Sequence, residues 1–327
     1  MPTHTQHLPL AILLMGPTAV GKSHLALELA QHLPLEIISV DSAIVYRGMD
    51  IGTSKPSAAE RKAVPHHLID IRDPTEVYSA AAFVQDALVA MRAISERGNI
   101  PLLVGGTIFY FRALMQGLSP LPSADPVLRA ALTAEADRLG WPALHQRLAL
   151  IDPQAAQRIH PQDRQRIQRA LEVYTLTQKS LSTLCAEQPS KPQGVDALCA
   201  HGYRMLSFAR MQPDRRILHQ HIAERFHAML EQGLVAEVEA LWQHYDLTPS
   251  MPSMRAVGYR QIKAYLDGDT NAQTMTEQAM AATRQLAKRQ ISWITQMPQI
   301  QVLENTHLAS KQTMLDCVVE GTHKLPP

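Results

Sequence analysis

Residues 10–42 read LAILLMGPTAVGKSHLALELAQHLPLEIISVDS, and this stretch decides the fold. At its centre stand Gly16, Pro17, Thr18, Ala19, Val20, Gly21, Lys22 and Ser23, a full match to the phosphate-binding loop G-x-x-x-x-G-K-[ST]. The apolar run Leu10 to Met15 leads in as a strand, and Leu25 and Leu29 with their neighbouring alanines lead out as a helix. In that setting backbone N–H groups converge on an anion, the helix start adds positive potential, and Lys22 and Ser23 offer a cation and a ligand for Mg²⁺. The motif does not say which phosphate it holds.

Working outward, Glu36 to Val40 reads as a buried β-branched strand that ends at Asp41 and Ser42. Ligands of open α/β sheets bind at the carboxyl ends of strands, so Asp41 is expected beside the loop. Residues 43–56 (AIVYRGMDIGTSKP) have no clean period and read as an ordered functional loop. A third strand is expected over His66 to Ile71, then a helix capped by Ser79, then the strand Pro101 to Val104 ending in Gly105-Gly106-Thr107. The alternation predicts an α/β fold, a P-loop NTPase-like three-layer core with a parallel sheet, and brings Thr107 to the ligand edge.

The character changes at SPLPSADP. Helical patterns from Asp125 to about Cys185 predict a helical insertion domain over 121–195, with 1–120 and 196–327 forming the core. Tyr203 to Phe208 returns to the sheet as a strand, long helices follow, and Gln299 to Leu303 is expected as an edge strand. The tail after Asn305 shows no pattern.

Composition narrows the class. The 327 residues carry a net charge of +1, so a nucleic-acid surface has to be a local patch. Three cysteines without a C-x-x-C pair point to neither a disulfide framework nor a zinc site, and the chain is expected in the cytoplasm, away from membranes. His66, His67, His219, His221 and His227 read as structural or surface groups.

Three constellations carry further chemistry. Residues 161–171 (PQDRQRIQRAL) place Arg164, Arg166, Arg169, Gln165 and Gln168 on a helix whose Ile167 and Leu171 face inward. Residues 283–293 (TRQLAKRQISW) place Arg284 and Lys288 on one helical face, with Gln285 and Arg289 on the next. Neither run contains glutamate, so helical salt bridges do not explain them, whereas mixed Arg and Gln suit RNA phosphates and base edges. In MRAVGYRQ (254–261), Arg255, Tyr259 and Arg260 around Gly258 fit a helix–turn with a buried tyrosine as well as a stacking platform for unpaired bases. The strand before Gly105 lacks the terminal acid that most ATP- or GTP-splitting loops use for Mg²⁺. Asp41 is the acid at a strand end, unless Asp70 or Asp73 fills that place.

The ordered set GPTAVGKS, DSAIVYRGMDIGTSKP, GGTIFYFRAL, QRIQRALEV, VGYRQ and TRQLAKRQISW resembles the motifs of the bacterial tRNA dimethylallyltransferases, also called tRNA isopentenyltransferases. The resemblance spans Leu10 to about Leu303. It implies transfer of a dimethylallyl group from dimethylallyl diphosphate to the exocyclic amine of the adenosine 3′ of the anticodon, with Mg²⁺ and no ATP spent. It implies Asp41 as general base, Thr18 and Lys22 at the leaving diphosphate, and Mg²⁺ held through Ser23. Around the flipped base it places Asp41, Ser42, Ala43, Ile44 and Thr107. To the tRNA anticodon stem-loop it assigns Arg129, Gln165, Arg166, Ile167, Gln168 and Arg169, then Arg255 to Arg260 with Gly258 and Tyr259, then Arg284 and the stretch Lys288 to Thr295, Arg289 included. A monomer is expected.

One run departs from the pattern: HIAERF carries His221 where many relatives have arginine. Arg215 and Arg225 remain as candidate diphosphate contacts, with Arg215 preferred, and a contact by His221 would make diphosphate affinity depend on pH near neutrality. Two rivals share the core: a kinase of a nucleoside or small metabolite, and an RNA-binding NTPase switch.

Overall fold

A computed structural model describes residues 8–119, 121–187, 201–297, 300–304 and 307–323, with side chains described to residue 319. Most of the linker expected over 187–196, Gln299 at the start of the expected edge strand, and Cys199 lie outside them. The chain forms two compact units, 1–116 with 192–327, and 117–191, the second offset by four residues at each end from the expected insertion.

The first unit holds six strands: β1 (Leu10–Met15), β2 (Leu35–Val40), β3 (His66–His67), β4 (Ile100–Gly105), β5 (Arg204–Arg210) and β6 (Gln301–Leu303). They are parallel in the order β3-β2-β4-β1-β5-β6. All six residues of β2 and five of β1 are buried, because helices cover both faces of a parallel sheet. Before the insertion come α1 (Lys22–Leu29), α2 (Ala58–Ala63), α3 (Ala80–Glu96) and α4 (Ile108–Gln116). The second unit consists of α5 (Pro126–Leu139), α6 (Trp141–Ile151), α7 (Pro153–Arg158), α8 (Arg164–Thr177) and α9 (Leu181–Ala186) around Leu132, Trp141, Leu148 and Ile167. The first unit resumes with α10 (Arg215–Glu231), α11 (Leu234–His244), α12 (Tyr259–Leu266), α13 (Ala272–Ile294) and α14 (His307–His323). Among the described residues no helix is long and apolar enough to cross a membrane.

Side chains alternate along β1. Leu13 and Met15 join Phe83, Phe111 and Phe226 on one face, whereas Ile12 and Leu14 join Leu25, Leu29, Met314 and Val318 on the other. The patternless tail is thus α14, whose Met314 and Val318 cover α1. Polar caps set the helix starts: Ser79 accepts from Ala82 N–H, Asp125 from Val127 and Leu128, and Asp214 from Arg216.

The third strand is shorter than expected. Leu68 and Asp70 sit at φ of 61° and 56°, left-handed values that end the extended run after His67. Asp70 then binds Lys55 and Arg61, and Lys55, 3% exposed, also donates to Tyr46 O at 2.9 Å and to Asp50 at 2.5 Å. This cluster closes the 43–56 loop. Buried Glu36 on β2 takes Arg97 Nε and Nη2 at 2.8 and 2.6 Å, Asn99 Nδ2 at 2.8 Å and His67 at 2.7 Å. The hydrogen bonds from Arg97 lead in holding its carboxyl down at about 2.

Candidate active site

Sheet register builds the site. Met15 pairs with Gly105, and Gly105 with Val40, so the residues that follow β1, β4 and β2 emerge side by side. Those residues are Gly16, Gly106 and Asp41. Two glycines at these strand ends tolerate no side chain: a Cβ at Gly105, the last residue of β4, would lie 2.0 Å from Val40 O, and one at Gly16 would lie 2.4 Å from Arg210 O. The loop then turns through Ala19 (φ 66°) and Gly21 (φ 81°) into α1.

A cavity of about 650 Å³ opens at this edge. Thr18, Ala19, Lys22 and Ser23 form one wall, while Asp41, Ser42, Ala43, Ile44 and Thr107 line another. Asp41 Oδ1 accepts from the N–H groups of Ala43 (2.8 Å) and Ile44 (3.3 Å), which orients the carboxylate, and Oδ2 has no protein partner among the described residues. Thr107 Oγ1 accepts from Ser42 N at 3.1 Å, tying the two strand ends together. Asp41 is the acid among the described residues that line the cavity. Asp70 is occupied by Lys55 and Arg61, and Asp73 by Arg47 at 2.8 Å.

Lys22 Nζ donates to Pro17 O at 2.7 Å and so curls back over the loop it serves. Desolvation first and the Arg225 charge second lower its pKa to about 7, against the pull of Asp41. Two guanidiniums reach the loop: Arg225, which lines the cavity and donates to Thr18 Oγ1 at 3.0 Å, and Arg210, whose Nε donates to Val20 O at 3.3 Å. Burial lowers the Arg225 pKa, with Asp41 opposing. The preference for Arg215 is corrected: Arg215 is exposed at the first position of α10, ten residues before Arg225, and His221 is exposed on the same helix. Ile222 and Leu218 of α10 pack with Val20 and Ala287, which turns Arg225 toward the loop.

Gln290 falls in the stretch 288–295 that the resemblance assigns to the tRNA, yet its side chain is engaged within the protein. Its Oε1 accepts from Thr18 N at 3.0 Å and its Nε2 donates to Gly106 O at 2.7 Å, so α13 clamps the phosphate loop to the end of β4. Its presence in the RQLAKRQ run was the available signal, but the neighbouring charges drew the reading. Glu237 of α11 was also missed. It accepts from the N–H groups of Asp50 (3.0 Å), Ile51 (2.6 Å) and Gly52 (3.2 Å) and from Tyr259 Oη (2.6 Å), holding the 43–56 loop in place. Tyr259 is 1% exposed, so of its two readings the buried tyrosine holds and no ring is offered for stacking. Burial and Glu237 raise its pKa.

The basic residues divide by surroundings. In the first unit Arg255, Arg260, Lys288 and Arg289 are exposed, Arg284 is half-buried, and Arg255, buried Gly258 and Arg289 line the cavity. In the second unit Gln165 and Arg166 are exposed, but Ile167 is fully buried in the core and presents no surface. Gln168 is bound to Arg129 O and Thr133 Oγ1 at 3.0 and 2.9 Å. Arg129 and Arg169 converge on fully buried Glu172, at 2.8 Å from Arg129 Nε and 2.6 Å from Arg169 Nη1. Burial works against the Glu172 charge, yet these hydrogen bonds together lower its pKa. The expectation that helical salt bridges are absent is therefore corrected at Glu172, one residue past the run in which no glutamate was found.

A parallel sheet with this loop, one strand-end carboxylate and one inward arginine defines a phosphate-loop α/β enzyme. The sequence profile of the IPP transferase family matches residues 44–297, and the chain belongs to that family. The tRNA dimethylallyltransferase of Ralstonia nicotianae is 54% identical over 90% of this chain and 91% of its own. That of Thioalkalivibrio sulfidiphilus is 55% identical over 92% and 91%. The crystal structure of a full-length tRNA isopentenylpyrophosphate transferase from Bacillus halodurans superimposes with a TM-score of 0.68 at 33% identity, covering 97% of both chains. A eukaryotic dimethylallyltransferase, described as acting on tRNA, gives 0.79 at 27% identity over 97% of this chain and 80% of its own.

Proposed function

We propose that this chain transfers the dimethylallyl group of dimethylallyl diphosphate to N6 of the adenosine 3′ of the anticodon, in tRNAs that read codons beginning with U. The products are N6-(dimethylallyl)adenosine and diphosphate. The observation that carries the reading is the facing of Thr18, Lys22 and Arg225 by Asp41 across one cavity, with no further carboxylate among its described lining residues. That arrangement grips a diphosphate and leaves one base for a nucleophile.

In the reaction the bond between the allylic carbon and the diphosphate oxygen breaks, the N6–carbon bond forms, and Asp41 takes the proton that the amine loses. Negative charge grows on the departing oxygen, where Lys22, the loop N–H groups, the Thr18 hydroxyl and Arg225 stand. Oδ1 of Asp41 is fixed by Ala43 and Ile44, so Oδ2 is the atom available to the amine. Phe109 and Trp293, edge to face with ring centroids 6.2 Å apart, supply apolar wall to the cavity and suit a five-carbon allyl chain. The adenine has to leave its stack, at about a few kcal/mol, and the backbone of 42–44 and Thr107 suit its edges.

Ser23 is exposed, lines the cavity and makes no side-chain hydrogen bond to the protein among the described residues, an oxygen donor that fits a hard cation. We infer Mg²⁺ there, supplying positive charge to the diphosphate when bound. The exposed Arg255, Arg260, Lys288, Arg289, Gln165 and Arg166 are assigned to the tRNA, with half-buried Arg284 at the margin.

The test supplies labelled dimethylallyl diphosphate, Mg²⁺ and unmodified tRNA without nucleotide. Label in the tRNA, mapped to the adenosine 3′ of the anticodon, is the expected outcome; unlabelled tRNA sinks the reading.

A further inference from the structure

Outside the lining of the cavity, three ligating side chains meet between α1 and α14. His24 and Glu28 lie four residues apart on one face of α1, and His307 begins α14, 283 positions from His24. His24 Nδ1 is 3.0 Å from His307 Nε2 and 3.5 Å from Glu28 Oε1, while His307 Nε2 is 3.2 Å from Glu28 Oε2. A tetrahedral ion with bonds of about 2.0–2.1 Å has ligand–ligand edges of about 3.3 Å. The two imidazoles approach different oxygens of Glu28, and with one ligand atom taken from each residue all three lie within 4.8 Å of one another, so a small side-chain adjustment closes the triangle on that edge.

We propose that His24, Glu28 and His307 form a binding site for a borderline divalent transition metal, Zn²⁺ or a similar ion, that fastens α14 to the helix leaving the phosphate loop. Two imidazoles and one carboxylate select this class over Mg²⁺ and Ca²⁺, which take oxygen ligands. The side chain of His24 is 71% exposed, so water or solute has access to a fourth position. In the metal-free arrangement one imidazole N–H bridges the two rings, whose centroids are 4.6 Å apart, and the ion would replace that proton. Lys311 Nζ stands 3.4 Å from Glu28 Oε2. It neutralises the carboxylate and weakens the site electrostatically, which gives the proposal a distinctive consequence. Met314 and Val318 of α14 share an apolar cluster with Leu25 and Leu29 of α1, and Ser310 accepts a hydrogen bond from Arg210 of β5. A metal would add a direct link from the first residue of α14 to α1.

The experiment titrates tag-free full-length protein with Co²⁺, following the visible absorption of tetrahedral cobalt, and then displaces it with Zn²⁺. One tetrahedral Co²⁺ per chain is expected. His24→Ala and His307→Ala should each weaken binding by more than about tenfold, and Lys311→Met should tighten it. At about a hundredfold excess over Kd, Zn²⁺ should raise the melting midpoint by about 4 °C in the parent and leave the His307→Ala protein unmoved. A double His219→Gln, His221→Gln protein serves as control and should bind as the parent does. Absence of a saturable cobalt spectrum overturns the proposal, as does binding that survives either alanine change, or that weakens in Lys311→Met. The first of these results would mark the group as an ion-pair cluster only.

Discussion

Lys22 offers the sharpest quantitative prediction. Its pKa is lowered to about 7 from the ordinary lysine value of 10.5, because desolvation and Arg225 oppose its charge. At about 1.4 kcal/mol per pKa unit, holding the ammonium in the empty loop costs at most about 5 kcal/mol. Between these two values the unfolded chain binds more protons than the folded one. The cost is therefore full below pH 7 and is relieved as pH rises toward 10.5. A bound diphosphate restores the charge, so at pH 8 binding should take up about 0.9 proton at this residue, and the dissociation constant should rise about fifty-fold from pH 7 to 9. The assay is calorimetry with inorganic diphosphate in two buffers of different ionisation enthalpy, comparing the parent with Lys22→Arg, whose guanidinium stays charged throughout. Subtracting the two removes the titration of diphosphate itself. Equal proton uptake by the two proteins at pH 8 would refute the reasoning. As a companion, Lys22→Met should raise the melting midpoint at pH 7 while abolishing transfer.

Other changes separate chemistry from scaffold. Asp41→Asn keeps an oxygen for the N–H groups of Ala43 and Ile44, so the fold and tRNA affinity should hold while kcat falls about 10²–10⁴-fold; loss of tRNA binding would make Asp41 a recognition residue. Gln290→Leu strands the Thr18 N–H and the Gly106 carbonyl, which costs about 2–4 kcal/mol in loop order. A raised KM for the diphosphate with an unchanged KM for tRNA is expected, and parent-like kinetics would dismiss the clamp. Glu172→Gln leaves Arg129 and Arg169 without their counter-charge. Both guanidiniums reach solvent, so the loss should sit near about 3 kcal/mol, read as earlier proteolysis of the 117–191 unit; an unchanged digestion profile would count against the hub.

The phosphate loop, the parallel order of strands and helices, and Asp41 at a strand end were legible because they are local: a spacing motif, apolar runs and a polar pair after a strand. The helical insertion was legible from its lack of strand alternation and its proline-rich border. The sequence by itself therefore determined the class of fold, the phosphate grip and the carboxylate opposite it.

Tertiary structure decided which groups complete the site. Arg225 rather than Arg215 meets Thr18 because the buried face of α10, through Leu218 and Ile222, fixes the helix rotation. Gln290 reaches Thr18 across 272 positions, and Glu237 reaches Ile51 across 186, separations at which no local pattern carries information. Arg129 and Arg169, read as free for RNA, are bound to Glu172 because helices 43 residues apart in sequence pack together. Motif spacing reports what a chain segment can bind; only packing reports which of its charges are already spent on the fold.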